Sequence, residues 1–374
     1  MMKRYQESLI LQDLNKKMVF ISGPRQAGKT TLAKEIALKF KSSLYLNYDR
    51  LEDRKIIQEE AWSSSVDLII LDEIHKMPNW KTYLKGIYDT KPSHQKILVT
   101  GSARLEVFNQ VGDSLAGRYF LHRLMPLSPA ECYKMEYPFT IDRFMERGGF
   151  PEPFLAENVI DANRWRLQYI DSLLREDVLN FDHIQNLNAI RVVFELLRTK
   201  VGAPISYNSI AEDVGISPNT VKKYVQILEA LYIVFRVTPF AKNIARSLLK
   251  EPKIYFFDIG LVKGDEGIKF ENLVAICLYK HILAKIDYLA ENYMLQYLKT
   301  KEGHEVDFAL IKDEEIERII EVKNSNHHIS EGLKYFHKRS QFPAYQVIKE
   351  LKRERTTEGI EIIEGDRFLK SLFL

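Results

Sequence analysis

Apolar positions in the first third of the chain come in short runs that alternate with stretches of helical spacing. Met18-Val19-Phe20-Ile21 has strand character, and Leu32, Ile36 and Phe40 then repeat at the period of a helix face. Residues 43–48 form a second strand candidate, and a charged helix follows near 50–60. The run at 66–73 is apolar from Leu68 until it closes on Asp72 and Glu73, and Lys96–Thr100 is another run of the same kind. Runs this apolar, bounded by charge, belong to strands buried on both faces. Residues 1–130 therefore predict an α/β domain with a parallel sheet.

The pattern changes after that. Gly148-Gly149-Phe150-Pro151 is a turn-rich break, and 164–187 reads helical, so 131–187 is expected to be a small helical appendage. Farther on, Ile210, Ala211 and Val214 share one helical face, Gly215 supplies a turn, and Ser217-Pro218 fits an N-cap with proline at the first helical position. The next helix should bury Val221, Val225 and Leu228 while offering Asn219, Thr220, Lys222, Lys223 and Gln226. Two strands follow, at 232–237 and 253–258, joined by a loop with Lys242, Arg246 and Lys250. Helix, turn, helix and a basic hairpin is the order of a winged helix, expected over 188–258. The remainder, 259–374, opens with an amphipathic helix from Lys269 that places Glu271 in its first turn. Alternating strands follow at 303–310 and 319–323, again an α/β pattern.

Composition narrows the picture only a little. A chain of 374 residues exceeds what one core usually serves, and 45% apolar with 28% charged residues describes an ordinary globular protein. The net charge of +3 is too mild to announce a nucleic-acid partner, so any basic site must be local. Cys132 and Cys277 stand far apart, with neither metal spacing nor a disulfide framework, which suits a reducing compartment. No stretch approaches the roughly 20 apolar residues needed to cross a bilayer, and Met1 to Lys17 lacks a secretory core. A cytoplasmic location without membrane attachment is expected.

The strongest chemistry lies between the first strand and the first helical repeat. Gly23-Pro24-Arg25-Gln26-Ala27-Gly28-Lys29-Thr30 fits the pattern G-x-x-x-x-G-K-[ST], with Thr31 completing the set of nucleotide-binding positions. The glycines let backbone N–H groups turn toward phosphate oxygens, and the helix N-terminus adds partial positive charge. Lys29 is then placed to reach the β- and γ-phosphates of ATP, and the Thr30 hydroxyl to ligate Mg2+. Asp72 would hold the magnesium, usually through water, and Glu73 would polarise the attacking water. At the end of Lys96–Thr100, Ser102 is the candidate γ-phosphate sensor, with Thr100 second. Arg118 would neutralise charge on the transferred phosphate, in cis or in a neighbouring subunit, ahead of Arg25 and Arg104. Asp72-Glu73-Ile74-His75 also spells a helicase box, but the second motor domain that chemistry requires is missing, so His75 is coincidental to it.

Four segments together, 23–31 (GPRQAGKTT), 68–75 (LIILDEIH), 100–104 (TGSAR) and 117–131 (GRYFLHRLMPLSPAE), resemble the AAA-type P-loop ATPases of archaea and bacteria that carry a C-terminal domain. The resemblance covers essentially the whole chain and implies a RecA-like ATPase core. It implies no settled biological role.

In the last segment, Gly303-x-x-x-Asp307 and Glu321-x-Lys323 resemble the D…E-x-K signature of restriction-endonuclease-like nucleases, with Glu271 matching their helical acidic residue. If the two strands pair, Asp307 lies beside Glu321. Asp307, Glu321 and Glu271 would then hold Mg2+, or Mn2+, and Lys323 would orient the nucleophile. His327-His328 makes a poor metal pair, because adjacent strand residues point opposite ways.

The expected fold class is thus α/β: a RecA-like P-loop ATPase core (1–130), a helical appendage (131–187), a winged helix (188–258) and a restriction-endonuclease-like α/β domain (259–374). The expected function is ATP hydrolysis coupled to weakly sequence-specific DNA binding and a nuclease-like domain. The rival is a nucleotide-switched regulatory module whose catalytically inactive C-terminal domain binds protein. Oligomeric state is left open.

Overall fold

The computed structural model describes residues 3–101, 115–177, 186–241, 251–325 and 328–374. Ser102, Arg104, Lys242, Arg246, Lys250 and His327 lie outside the described residues. The chain divides into two compact units, Met1–Pro126 and Leu127–Leu374.

The first unit is built on five strands: β1 (Met18–Ser22), β2 (Ser43–Asn47), β3 (Leu68–Asp72), β4 (Lys96–Thr100) and β5 (Tyr119–Arg123). Their order is β2-β3-β4-β1-β5, and every neighbouring pair is parallel. Both β1 and β3 are buried at every position, which is why their sequences read as unbroken apolar runs. Alternate residues feed opposite cores. Phe20, Ile69, Leu71, Ile97 and Val99 pack with Trp80, Leu84 and Ile87 of the helix Trp80–Thr90 on one face. On the other, Val19, Ile21, Leu68, Ile70 and Leu98 pack with Leu32 and Ile36 of the helix Lys29–Ala37. Each such side chain contributes about 1.5–3 kcal/mol on burial, so the alternation holds the sheet between its helices.

Because all the strands are parallel, their C-terminal ends form one edge. Ile21 and Asp72 both pair with Thr100, Asn47 pairs with Asp72, and Ser22 pairs with Arg123. In open α/β sheets that edge is where ligands bind.

The second unit begins with short helices, Pro129–Lys134, Ile141–Arg147 and Pro151–Leu155, and the longer Val159–Ser172. Helices Leu187–Thr199, Tyr207–Val214 and Pro218–Ala230 come next. Ser217 caps the last of these by accepting from the Thr220 N–H, with Pro218 at the first position, and Gly215 ends the preceding helix at φ 73°. Local chemistry alone predicts both boundaries. The hairpin β6 (Val234–Pro239) and β7 (Lys253–Phe256) follows.

After the hairpin come the helix Glu266–Leu289, β8 (Tyr293–Lys299), β9 (Glu305–Lys312) and β10 (Glu315–Ser325). Helix Glu331–Ser340, β11 (Ala344–Glu350), β12 (Arg355–Thr357), β13 (Ile360–Glu364) and helix Gly365–Lys370 complete the chain. The strand order is β12-β13-β11-β10-β9-β8-β6-β7.

Two features differ from expectation. The hairpin does not stop at a boundary near 258: β6 pairs in parallel with β8 through Thr238 and Pro239, so one sheet runs through both segments. Exposed backbone groups on an edge strand recruit the next strand whatever the sequence composition says. The helix expected from Lys269 starts earlier, at Glu266, because the Asp265 side chain caps it by accepting from the Ile268 N–H. Glu271 therefore sits in its second turn rather than its first.

Candidate nucleotide site and the C-terminal carboxylate cluster

The loop after β1 turns on two glycines. Gly23 adopts φ 136°, and a Cβ there would stand 2.4 Å from the Leu124 carbonyl oxygen at the exit of β5. Gly28 adopts φ 95° as the N-cap of the helix Lys29–Ala37. Any side chain at either position would strain the curl that aims the amides inward. Lys29 is buried, and its ammonium donates to the Gly23 and Pro24 carbonyls at 3.0 and 2.6 Å, which holds the cation over the loop. Arg25 is half-buried, while Gln26 and Thr31 are exposed at the rim.

Asp72 gathers the site. Its Oδ2 accepts from the Thr30 hydroxyl at 2.9 Å and from the Tyr45 hydroxyl at 2.6 Å, and its Oδ1 accepts from the Thr100 hydroxyl. Thr30, Asp72 and Thr100 come from three separate elements, and the strand order brings them to one place. Glu73 follows in the left-handed region at φ 57°, its N–H bonded to the Thr100 carbonyl at 3.0 Å. Its carboxyl lies 3.2 Å from the Lys76 ammonium and 3.6 Å from His75 Nε2. Burial raises the Glu73 pKa, and Lys76 pulls against that shift.

A cradle closed to a Cβ, an ammonium over it and a hydroxyl–carboxylate pair beside it fit a magnesium-bound triphosphate.

Two positions invisible to motif reasoning join this edge. The buried Arg4 guanidinium donates to the Ala27 carbonyl at 2.8 Å and to the Met125 carbonyl at 2.7 Å, tying the loop to the segment after β5. Tyr45 is the second. Neither belongs to a motif, and strand order alone brings Tyr45 beside Asp72.

Arg118 needs correction. Tyr119 pairs with Met18, so Arg118 lies at the N-terminal edge of the sheet, opposite the phosphate loop. There it forms a two-pronged ion pair with Asp89, at 2.8 and 3.0 Å. A role on phosphate in cis is ruled out by that placement, because the length of β1 separates the two.

In the second unit, β9 and β10 are antiparallel with Phe308 opposite Ile320, which brings Asp307 beside Glu321 as anticipated. The Asp307 N–H donates to Glu321 Oε2 at 3.4 Å, and the Val322 N–H donates to Asp307 Oδ2 at 3.0 Å. Lys323 reaches Glu321 Oε1 at 2.8 Å, and Glu271 Oε1 accepts from the Tyr255 hydroxyl at 2.7 Å. Sequence reasoning missed the group that dominates this cluster. The Lys253 ammonium, 1% exposed, lies 2.8 Å from Glu305 Oε1 and 3.3 Å from Asp307 Oδ1.

Burial, with Asp307 alongside, pushes the Glu271 carboxyl up to about 8 and the Glu321 carboxyl up to about 7. Among the described residues, no group of three or more His, Cys, Asp or Glu is arranged to hold a metal ion. Asp307, Glu321 and Glu271, the expected ligands, are thus not gathered into such a group among the described residues. An ammonium already lies against Asp307 and Glu305, so these carboxylates are engaged by the protein's own cation.

On the helix Pro218–Ala230, Val221, Val225 and Leu228 are buried while Asn219, Lys222, Lys223 and Gln226 are exposed and Thr220 is half-buried, as the pattern required. Among the described residues no helix is long and apolar enough to cross a membrane.

Residues 15–133 match the family model described as an AAA domain, and residues 139–269 match a domain of unknown function, DUF8612. Together with the parallel sheet and loop above, the first match marks the N-terminal segment as similar to AAA domains. An uncharacterized protein of Mycobacterium tuberculosis is 28% identical over 256 residues, covering 67% of this chain and 56% of the relative; the match thus spans little more than half of that relative's length. A second, from Methanocaldococcus jannaschii, is 25% identical over 95% of this chain and 84% of its own. Among solved structures, the Walker-type ATPase of Pyrococcus abyssi aligns with 12% identity over 70% of this chain and 95% of that one, at a TM-score of 0.44.

Proposed function

We propose that this chain, whose residues 15–133 match an AAA domain, binds and hydrolyses ATP at the edge formed by Gly23 to Thr31, Asp72 and Glu73. The observation that carries the reading is the Thr30–Asp72 hydrogen bond, which joins the phosphate loop to the acidic strand end. Lys29 binds the β- and γ-phosphates, and the loop amides orient them. Thr30 and Asp72 would hold magnesium, which when bound neutralises charge on the phosphate oxygens. Glu73 takes a proton from the attacking water at its carboxylate, and Thr100, bonded to Asp72, is the sensor candidate among the described residues.

Calorimetry and a phosphate-release assay test this. Lys29→Ala should lose ATP binding, whereas Glu73→Gln should bind and not turn over. Turnover that survives in Glu73→Gln removes that residue from its role.

We further infer that 188–258 is a winged helix contacting DNA phosphates, supported by the exposed Asn219, Lys222, Lys223 and Gln226 on its second helix. Binding should be weakly sequence-specific and should fall with salt, with a shallower salt slope in Lys222→Ala/Lys223→Ala. An unchanged slope would favour the regulatory module that binds protein. Residues 259–374 are read as a restriction-endonuclease-like domain on the pairing of Asp307 with Glu321 and of Glu321 with Lys323. The Lys253 ion pairs favour its inactive form.

A further inference from the structure

Lys253 begins β7, and β6 and β8 lie between that strand and β9 in the sheet order, yet its ammonium ends against two β9 carboxylates. Glu305 Oε1 is 2.8 Å away and Asp307 Oδ1 is 3.3 Å away, and the Tyr297 ring lies 5.3 Å below the cation. A lysine this deeply buried is costly unless charge partners surround it. The carboxylates in turn need a cation, since Glu271, Asp307, Glu321 and Glu305 converge here from the helix Glu266–Leu289 and two strands.

Every carboxylate around the point is engaged by the protein itself. Asp307 accepts from Lys253 on one oxygen and from the Val322 N–H on the other. Glu321 accepts from Lys323 and from the Asp307 N–H, Glu271 from Tyr255, and Glu305 from Lys253 and from Lys299 at 3.0 Å. We propose that Lys253 takes the cation position of this cluster, so that the domain carries a lysine–carboxylate centre in place of a divalent-metal centre. This rests on the restriction-endonuclease-like arrangement proposed above. It deepens that reading by stating why such a site does not cut: a metal would have to displace an ammonium that the fold inserts from a strand outside the D…E-x-K pair.

Manganese binding to the full-length chain, followed by electron paramagnetic resonance without nucleotide, tests the proposal. Lys29→Ala is present throughout to keep nucleotide off the phosphate loop. With Lys253 intact, no site lost in Asp307→Asn should bind tighter than about 1 mM. Lys253→Met should gain one site at least about tenfold tighter. That site should vanish in Lys253→Met/Asp307→Asn, and manganese should raise the melting temperature of Lys253→Met alone. Lys253→Gln, which keeps a hydrogen-bond donor, is the second variant should the methionine form not fold.

A manganese site of equal affinity with and without Lys253, abolished by Asp307→Asn, overturns the proposal and leaves a metal-binding nuclease-like domain standing. Folded Lys253 variants that bind no manganese overturn both. If neither variant folds, the chain with Lys253 intact decides: a tight site abolished by Asp307→Asn is the overturning result, and its absence is the expected one.

Discussion

Thr30 donates its hydroxyl hydrogen to Asp72 Oδ2 at 2.9 Å, across a sequence separation that spans two strand–helix units. The contact exists because β4 lies between β1 and β3 and aligns their ends. Both groups are magnesium-binding types, and each orients the other. Asp72→Asn should lower affinity for magnesium-ATP by about tenfold or more while leaving binding in EDTA nearly unchanged. Paired titrations with and without magnesium read the difference; an equal loss in both would make Asp72 a structural residue.

Tyr45 bonds the same carboxylate oxygen, at 2.6 Å. Tyr45→Phe keeps the ring and deletes one donor, at a stability cost of about 1 kcal/mol. Turnover at saturating magnesium should fall several-fold with the Michaelis constant for ATP unmoved. A change confined to the Michaelis constant would place Tyr45 in nucleotide binding instead.

The pH dependence of turnover should report the Glu73–Lys76 pair. Burial raises the Glu73 pKa, and the Lys76 ammonium, 3.2 Å away, opposes that rise. A general base acts when deprotonated, so Lys76→Met should move the acidic limb of the rate profile to higher pH. Solvent around the Lys76 side chain screens the pair, so the displacement should be modest. A limb that stays in place would mean that a group other than Glu73 sets it.

Arg4 holds the phosphate loop from behind through the Ala27 and Met125 carbonyls. Arg4→Ala removes both charge-assisted bonds and leaves two acceptors in a buried place, a cost of about 1–3 kcal/mol for each. Nucleotide affinity should weaken along with the melting temperature, and saturating ATP should recover part of the lost stability. Thermal denaturation with and without nucleotide measures both effects.

In the second unit, Glu271 titrates above an unfolded carboxyl because burial and Asp307 favour its protonated form, with Lys253 and Tyr255 opposing. The folded state then holds a proton that the unfolded chain has released. Stability from this group is full below the unfolded value and is lost as pH rises toward about 8. Glu271→Gln never ionises, so its melting temperature should gain on wild type between pH 5 and pH 8, by about 2 °C or more. A constant gap across that range would mean that Glu271 does not titrate there.

What the sequence determined by itself was local. The glycine-rich turn between an apolar run and a helical repeat, the Asp72-Glu73 strand exit, the Ser217-Pro218 cap and the alternation that sets Asp307 and Glu321 on paired strands all follow from rules acting within a few residues. The tertiary structure decided what depends on strand order and register. It placed Arg118 at the far edge of its sheet, brought Tyr45 and Arg4 to the phosphate loop, fused the hairpin to the C-terminal sheet and drove Lys253 into the carboxylates. None of these has a local signature, because a lysine or tyrosine in a strand looks the same until neighbouring strands assign its environment. The chemistry that recurs as a motif sits on contiguous backbone, whereas the groups that tune it come from elements that meet only after the sheets assemble.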